Sequence, residues 1–223
     1  MCHPKYEAAR YSFLQKHFAA RGIPSEKIHY VWTLWGHEIT PEIAFQIYDP
    51  FRHRFGIKHN LSQQSPALSR GELSLMVTFR ELMRQVLEGG YDEVIVFESD
   101  IVLRDDFLPR LKDVLTEAAN RPWDYISLGE GVGTRPQGSD PSYFGVTKLY
   151  KPPHQWVFRC CDSMILRRGF LEKVSQTFFP CRECLDWEMN VQAMIHRATC
   201  WWADPPLAEP STGRSRYMTS LPT

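Results

Sequence analysis

Apolar residues recur at helical spacing over residues 5–21, through Phe13, Leu14, Phe18 and Ala19, and Gly22 supplies a stop. The run KIHYVWTLW (27–35), rich in aromatic and β-branched residues, predicts a strand. A polar, proline-punctuated stretch follows to about residue 67. Ser69 and Glu72 then stand at the spacing of a capping box, in which the Ser hydroxyl accepts the third helical amide while the Glu reaches back. The helix they open should run from about 70 to 87, with Leu73, Met76, Val77, Leu82, Met83 and Val86 in its stripe. Gly89-Gly90 ends it. EVIVF (93–97) is a short apolar run bounded by a turn and by charges, the pattern of a central strand buried on both faces. Beyond it the pattern predicts a helix over 106–119 and strands over 124–129 and 156–166. Helices over 167–177 and 185–196 and a last strand over 198–204 complete the set, leaving 205–223 as a loop or tail. Such alternation implies an α/β fold, one domain over 1–223, with a mainly parallel central sheet flanked by helices.

Composition narrows the classes. With 26 basic and 26 acidic residues the formal net charge is zero, so no overall field draws the chain to nucleic acid. No apolar run approaches the roughly 18–20 residues of a membrane span. The opening MCHPKYEAARYS has no apolar signal core, so the expectation is a cytoplasmic protein whose six cysteines are reduced thiols.

The chemistry points to the end of the EVIVF strand, because ligands of open α/β sheets lie at the carboxyl ends of strands. Glu98 and Asp100 stand there, and alternation sends both to one side if the chain stays extended. Two carboxylates at that spacing suit Mg²⁺ or Mn²⁺, hard cations that bridge phosphate oxygens. The plain alternative is that two acids open a loop, as they often do after strands.

The block LSRGELSLMVTFRELMRQVLEGGYDEVIVFESDIVLRDDF (68–107) resembles the central block of glycosyltransferase family 25, the lipopolysaccharide and procollagen galactosyltransferase type. YEAARYSFLQKHFAARGI, DYISLG, CCDSMILRRGFLEKV and ADPPLAEPSTGRS are similar to further family segments in the same order. The resemblance implies a Rossmann-like GT-A fold, a UDP-sugar donor, a divalent metal, and inverting transfer to a saccharide or hydroxylated acceptor. It implies Asp100 as metal ligand with Glu98 assisting directly or through water. Ser69, Gly71 and Glu72 would shape the donor pocket at a helix N-terminus, with Lys5 and Arg10 flanking it. Asp186 in CLDWE is the candidate base and Glu188 its rival, although acids in a first helical turn also simply complement the dipole.

The chain departs from the family pattern in places. Only four residues precede Lys5 where a first strand is expected, and Ser99 replaces a middle acid. No His follows Pro205-Pro206-Leu207 to complete a metal shell, leaving Glu209 or water in that place.

Cys181 and Cys184 form half a zinc motif that Cys160-Cys161 and Cys200 do not complete at the usual spacing, so packed thiols are expected. None of the eight histidines shows paired spacing, and none is assigned a role. The Gly129–Gly133 run lacks the Lys-Ser/Thr of a phosphate loop and reads as a mobile loop over the acceptor site to about residue 145. Three functions compete: a hexosyltransferase, a catalytically silent nucleotide- or carbohydrate-binding module on the same scaffold, and a zinc-stabilised interaction protein.

Overall fold

The computed structural model describes residues 1–49, 68–129, 148–152 and 160–211. Helices are α1 (Ala8–Ala20), α2 (Pro41–Ile47), α3 (Arg70–Glu88), α4 (Phe107–Ala118), α5 (Arg168–Thr177) and α6 (Leu185–Ile195). Strands are β1 (Glu93–Phe97), β2 (Ile101–Leu103), β3 (Tyr125–Ser127), β4 (Lys148–Tyr150), β5 (Ser163–Arg167), β6 (Cys200–Asp204) and β7 (Ala208–Pro210). The architecture is α/β.

The capping box predicted at Ser69 forms in full. Ser69 Oγ accepts the Glu72 amide at 3.2 Å, and Glu72 accepts the Ser69 amide at 2.7 Å. This satisfies two of the orphan amides of a 19-residue helix whose stripe is buried. At the other end of its run, α1 stops where Gly22 takes φ +73°, a backbone that other residues rarely adopt.

The main sheet has the order β1-β5-β3-β6-β4. It is mixed, which corrects the expectation of a mainly parallel sheet. Only β3 and β6 pair in parallel; β1–β5, β3–β5 and β4–β6 are antiparallel. β1 and β3 do point the same way across α4, as the alternation implied. β5 lies between them in the opposite sense, and a hydrophobic pattern carries no information about which strand slots between which.

Period-two alternation sends the sheet's side chains into two cores. Val96, Tyr125, Met164 and Leu166 pack with α3, α5 and α6. Ile126 and Ile165, with Ile95 and Phe97 against them, pack with α1 and α4. Five residues of β5 thus serve both layers, and four of them are buried.

Three further corrections concern local structure. Residues 28–35 are not a paired strand. Ile28 has extended backbone, and Thr33 Oγ1 and Ser74 Oγ tie the segment to α3 through Thr78 Oγ1 at 2.9 Å and Leu34 O. A strand is a matter of partners as much as of composition, and no described strand lies alongside this one. The expected tail at 205–223 instead supplies β7, which pairs antiparallel with β2. The strand expected over 156–166 begins at Ser163, with 153–159 outside the described residues. The stretch 50–67, the loop predicted over 130–145 and residues 212–223 also lie outside them. Among the described residues no helix is long and apolar enough to cross a membrane.

Candidate active site

The carboxyl end of β1 and the amino end of β5 meet on one edge of the sheet. Glu98 N–H donates to Asp162 O at 2.9 Å, and Leu128 N–H donates to Ser163 O at 3.0 Å just past β3. The chain turns after Glu98, where Ile101 N–H donates to Glu98 O at 3.4 Å, so the condition of an extended chain is not met. Even so, Glu98 and Asp100 both line a cavity of about 280 Å³. Between them Ser99 lines the cavity too, and its hydroxyl donates to Glu7 and accepts from Arg10 Nη1 at 3.2 Å. That pair of bonds tacks the turn to the start of α1.

Four carboxylates gather at this edge. Burial pushes the Glu98 carboxyl up to about 8, and the nearby charges of Asp186, Asp100 and Asp162 push it the same way. Asp186, in the first turn of α6, accepts the Cys161 amide at 2.7 Å and so holds the chain just before β5 beside Glu98. Burial raises its pKa, against the opposing effect of its bonds to Cys161. The Cys161 thiol is raised well above its usual range, first by burial and then by Asp186 and Glu98.

Asp162 was not foreseen. An aspartate opening a buried strand is the signal, since a carboxylate 2% exposed must have a reason to be there. Gly129 accommodates it: a Cβ there would stand 2.5 Å from Asp162 Oδ1.

The remaining lining comes from three directions. Arg10 reaches in from α1, with its guanidinium on Glu7 at 3.3 Å. Gly71 and Ser74 come from the first turns of α3, and Trp32 and Trp35 from the extended segment. Gly36 rides directly on that helix end, since a Cβ on it would lie 3.3 Å from Gly71 N. Trp35 stacks on Tyr6 with ring centroids 5.2 Å apart, and His3 lies 4.9 Å from Trp32. One end of the cavity is therefore aromatic and the other acidic.

Asp186 lies behind Glu98 and outside the lining, and the other expected residues also fall elsewhere. Ser69 and Glu72 are occupied with each other in the cap and are absent from the lining, though the helix they open brings Gly71 to it. Lys5 also lies outside the lining, with its ammonium over the Tyr6 ring at 4.8 Å. Glu188 is fully buried and held by the Arg182 amide at 2.9 Å, by Gln192 at 2.9 Å and by the Arg182 guanidinium at 3.3 Å. A carboxylate so engaged braces the 180–184 loop and is poorly placed to take a proton from substrate. Glu209 sits opposite Val102 in the β2–β7 pair and is not in the lining.

All six cysteines are free thiols. Cys161, Cys181 and Cys200 belong to the α3 core, and burial raises the Cys181 and Cys200 thiols to about 12. Among the described residues no three His, Cys, Asp or Glu side chains are placed to hold a metal ion. Two carboxylates alone would leave most positions around a cation to phosphate or water, the usual habit of Mg²⁺.

No family model matches the chain. A stretch of 64 residues is 33% identical to a cattle (Bos taurus) protein described as probable inactive glycosyltransferase 25 family member 3. The stretch is 28% of this chain and 11% of that protein, a similarity to a glycosyltransferase over a small part of its length.

Proposed function

We propose that the cavity beside Glu98 and Asp100 binds a nucleotide-sugar donor. On this reading the chain is a GT-A-type glycosyltransferase moving a hexose from a UDP-sugar to a saccharide or hydroxylated acceptor. The observation that carries the proposal is the shared lining: two carboxylates after β1, the Arg10 guanidinium, the first turn of α3 and an indole wall face one space. Trp35 or Trp32 offers a flat face to a base. Arg10 and the amino end of α3 favour phosphate. Mn²⁺ or Mg²⁺ would be held by Asp100, with Glu98 directly or through water, and would neutralise charge on the departing diphosphate.

Asp186 is the proposed base. Its raised pKa brings its proton affinity toward neutral pH, which suits removal of the acceptor's hydroxyl proton. The diphosphate would leave from the opposite sugar face, giving inversion.

A second reading has its own support. The relative with which this chain shares sequence is described as probably inactive, and Glu188 and Glu209 add no ligand to the lining. A silent donor-binding module is the form that reading takes.

Thermal unfolding with UDP and Mn²⁺ tests the site, because a ligand specific to the folded state at a hundredfold over its Kd stabilises by about 2.7 kcal/mol. The expected result is a raised Tm that Asp100→Ala abolishes; an equal rise in that variant removes Glu98 and Asp100 from the reading. UDP release from a UDP-hexose distinguishes enzyme from silent module. Asp186→Asn should keep the UDP-dependent shift and lose that release, and undiminished release would take Asp186 out of the mechanism.

A further inference from the structure

His3 stands at the aromatic end of the cavity, 8% exposed, among the residues that line it. Its Nδ1 accepts the amides of Lys5 and Tyr6, each at 3.2 Å. A ring nitrogen that accepts carries no proton, so the neutral imidazole holds its proton on Nε2. Among the described residues no group accepts from Nε2, and the ring edge that carries it is turned away from the 3–6 turn. His3 is therefore a buried donor of fixed tautomer with a cavity beside it. Histidine spacing gave no hint of this, because the partners of Nδ1 are amides two and three residues along the chain.

Three aromatic rings hold the imidazole in place. The Tyr6 centroid lies 4.6 Å away, that of Trp32 4.9 Å and that of Trp35, edge-on, 5.6 Å. The His3 amide donates to Glu7 Oε2 at 2.8 Å, while Glu7 Oε1 accepts the Ser99 hydroxyl. One carboxylate thus ties the imidazole to the turn between Glu98 and Asp100. A donor fixed in this way gives up little freedom on meeting an acceptor. The adjoining indoles, with Trp32 nearly half exposed, offer the flat faces on which a planar ring would lie.

We infer that His3 reads the base of the nucleotide: Nε2–H donates to a ring carbonyl of a keto base, uracil for a UDP-sugar, lying against Trp32 and Trp35. The inference rests on the nucleotide-sugar reading of the cavity and adds to it the residue that selects the base. A neutral N–H among aromatic rings suits a carbonyl, whereas a phosphate is better served by the Arg10 guanidinium. A base with no acceptor at that point would leave Nε2–H desolvated and unpaired, and that cost is what separates one base from another.

The test measures the Kd of UDP and of pyrophosphate, each with Mn²⁺, in the wild type, His3→Asn and His3→Gln. The Asn amide oxygen stands where Nδ1 does and keeps the turn, with nothing at the Nε2 position; the Gln amide reaches that position and offers an N–H. His3→Asn should bind UDP about tenfold more weakly, the loss of one neutral hydrogen bond, with pyrophosphate unchanged. His3→Gln should recover part of that loss. Equal UDP affinity in wild type and His3→Asn overturns the inference. So does a loss shared equally by pyrophosphate, which would make His3 only a brace for the turn. A loss absent with 2′,3′-dideoxy-UDP would place the contact on the ribose and overturn it too. Long-range ¹H–¹⁵N spectra of the wild type at about pH 8 should show the proton on Nε2, and a proton on Nδ1 overturns the inference whatever the variants do. A wild type that binds no UDP removes the donor site and this inference together, whereas each of the other negative results leaves the donor site standing.

Discussion

Leu103 N–H donates to Nε2 of His17 at 2.8 Å, a bond that only the neutral imidazole can accept. Burial lowers the His17 pKa to about 4; Arg21 lowers it further, and Asp105 acts the other way. No spacing rule marked this histidine, because its partner is a backbone amide 86 residues along the chain. Its folded pKa lies below the ordinary 6.5, so its contribution is complete above pH 6.5 and is lost as pH falls toward 4. Urea unfolding between pH 7 and 4.5 should show stability falling more steeply in the wild type than in His17→Gln, which keeps an acceptor that does not titrate. Parallel profiles would show that His17 is not the group responsible. The candidate site was partly legible at this scale: Glu98, Asp100 and Asp186 were singled out from sequence, and they come together in space. Asp162 and the commitment of Glu188 to Arg182 were not, since both depend on neighbours brought in by other strands and loops.

Elements with strong local signals matched their prediction. α3 has a cap, a stripe and a glycine stop, and it forms where these place it. Ser69→Ala should therefore cost about 1 kcal/mol in urea unfolding, with the slope unchanged, because it orphans an amide at an exposed helix start. A loss near zero would mean that water replaces the hydroxyl there. The three-residue strands β2, β4 and β7 escaped notice, as three residues are too few to display a period. α2 opens with Thr40 accepting the Ile43 amide at 3.3 Å ahead of Pro41, a start signal hidden within a polar stretch. Residues 28–35 have strand composition and extended backbone at Ile28, yet they lack a ladder.

Across the whole molecule β5 is the hinge of the packing, with Met164 and Leu166 facing one core and Ile165 the other. A cavity on either side should be felt on both. Ile165→Ala is expected to cost about 2–5 kcal/mol and to lower hydrogen-exchange protection in α3 and α4 by similar amounts. Loss confined to α4 would mean that the two cores open independently. Because Asp162 immediately precedes β5, the strand that joins the cores also holds an acid at the candidate site.

By itself the sequence determined every helix but α2, the apolar runs of β1, β3, β5 and β6 and the position of three acids, because each is written in residues within one or two turns of one another; β1, expected as a central strand buried on both faces, is instead the outer strand of its sheet with Val96 alone buried. The mixed order of the sheet, the pairing of β2 with β7 and the arrival of Asp162 beside Glu98 were decided only by the tertiary structure. Those features depend on which distant segment lies alongside, and burial patterns state only that a face is covered, never by what.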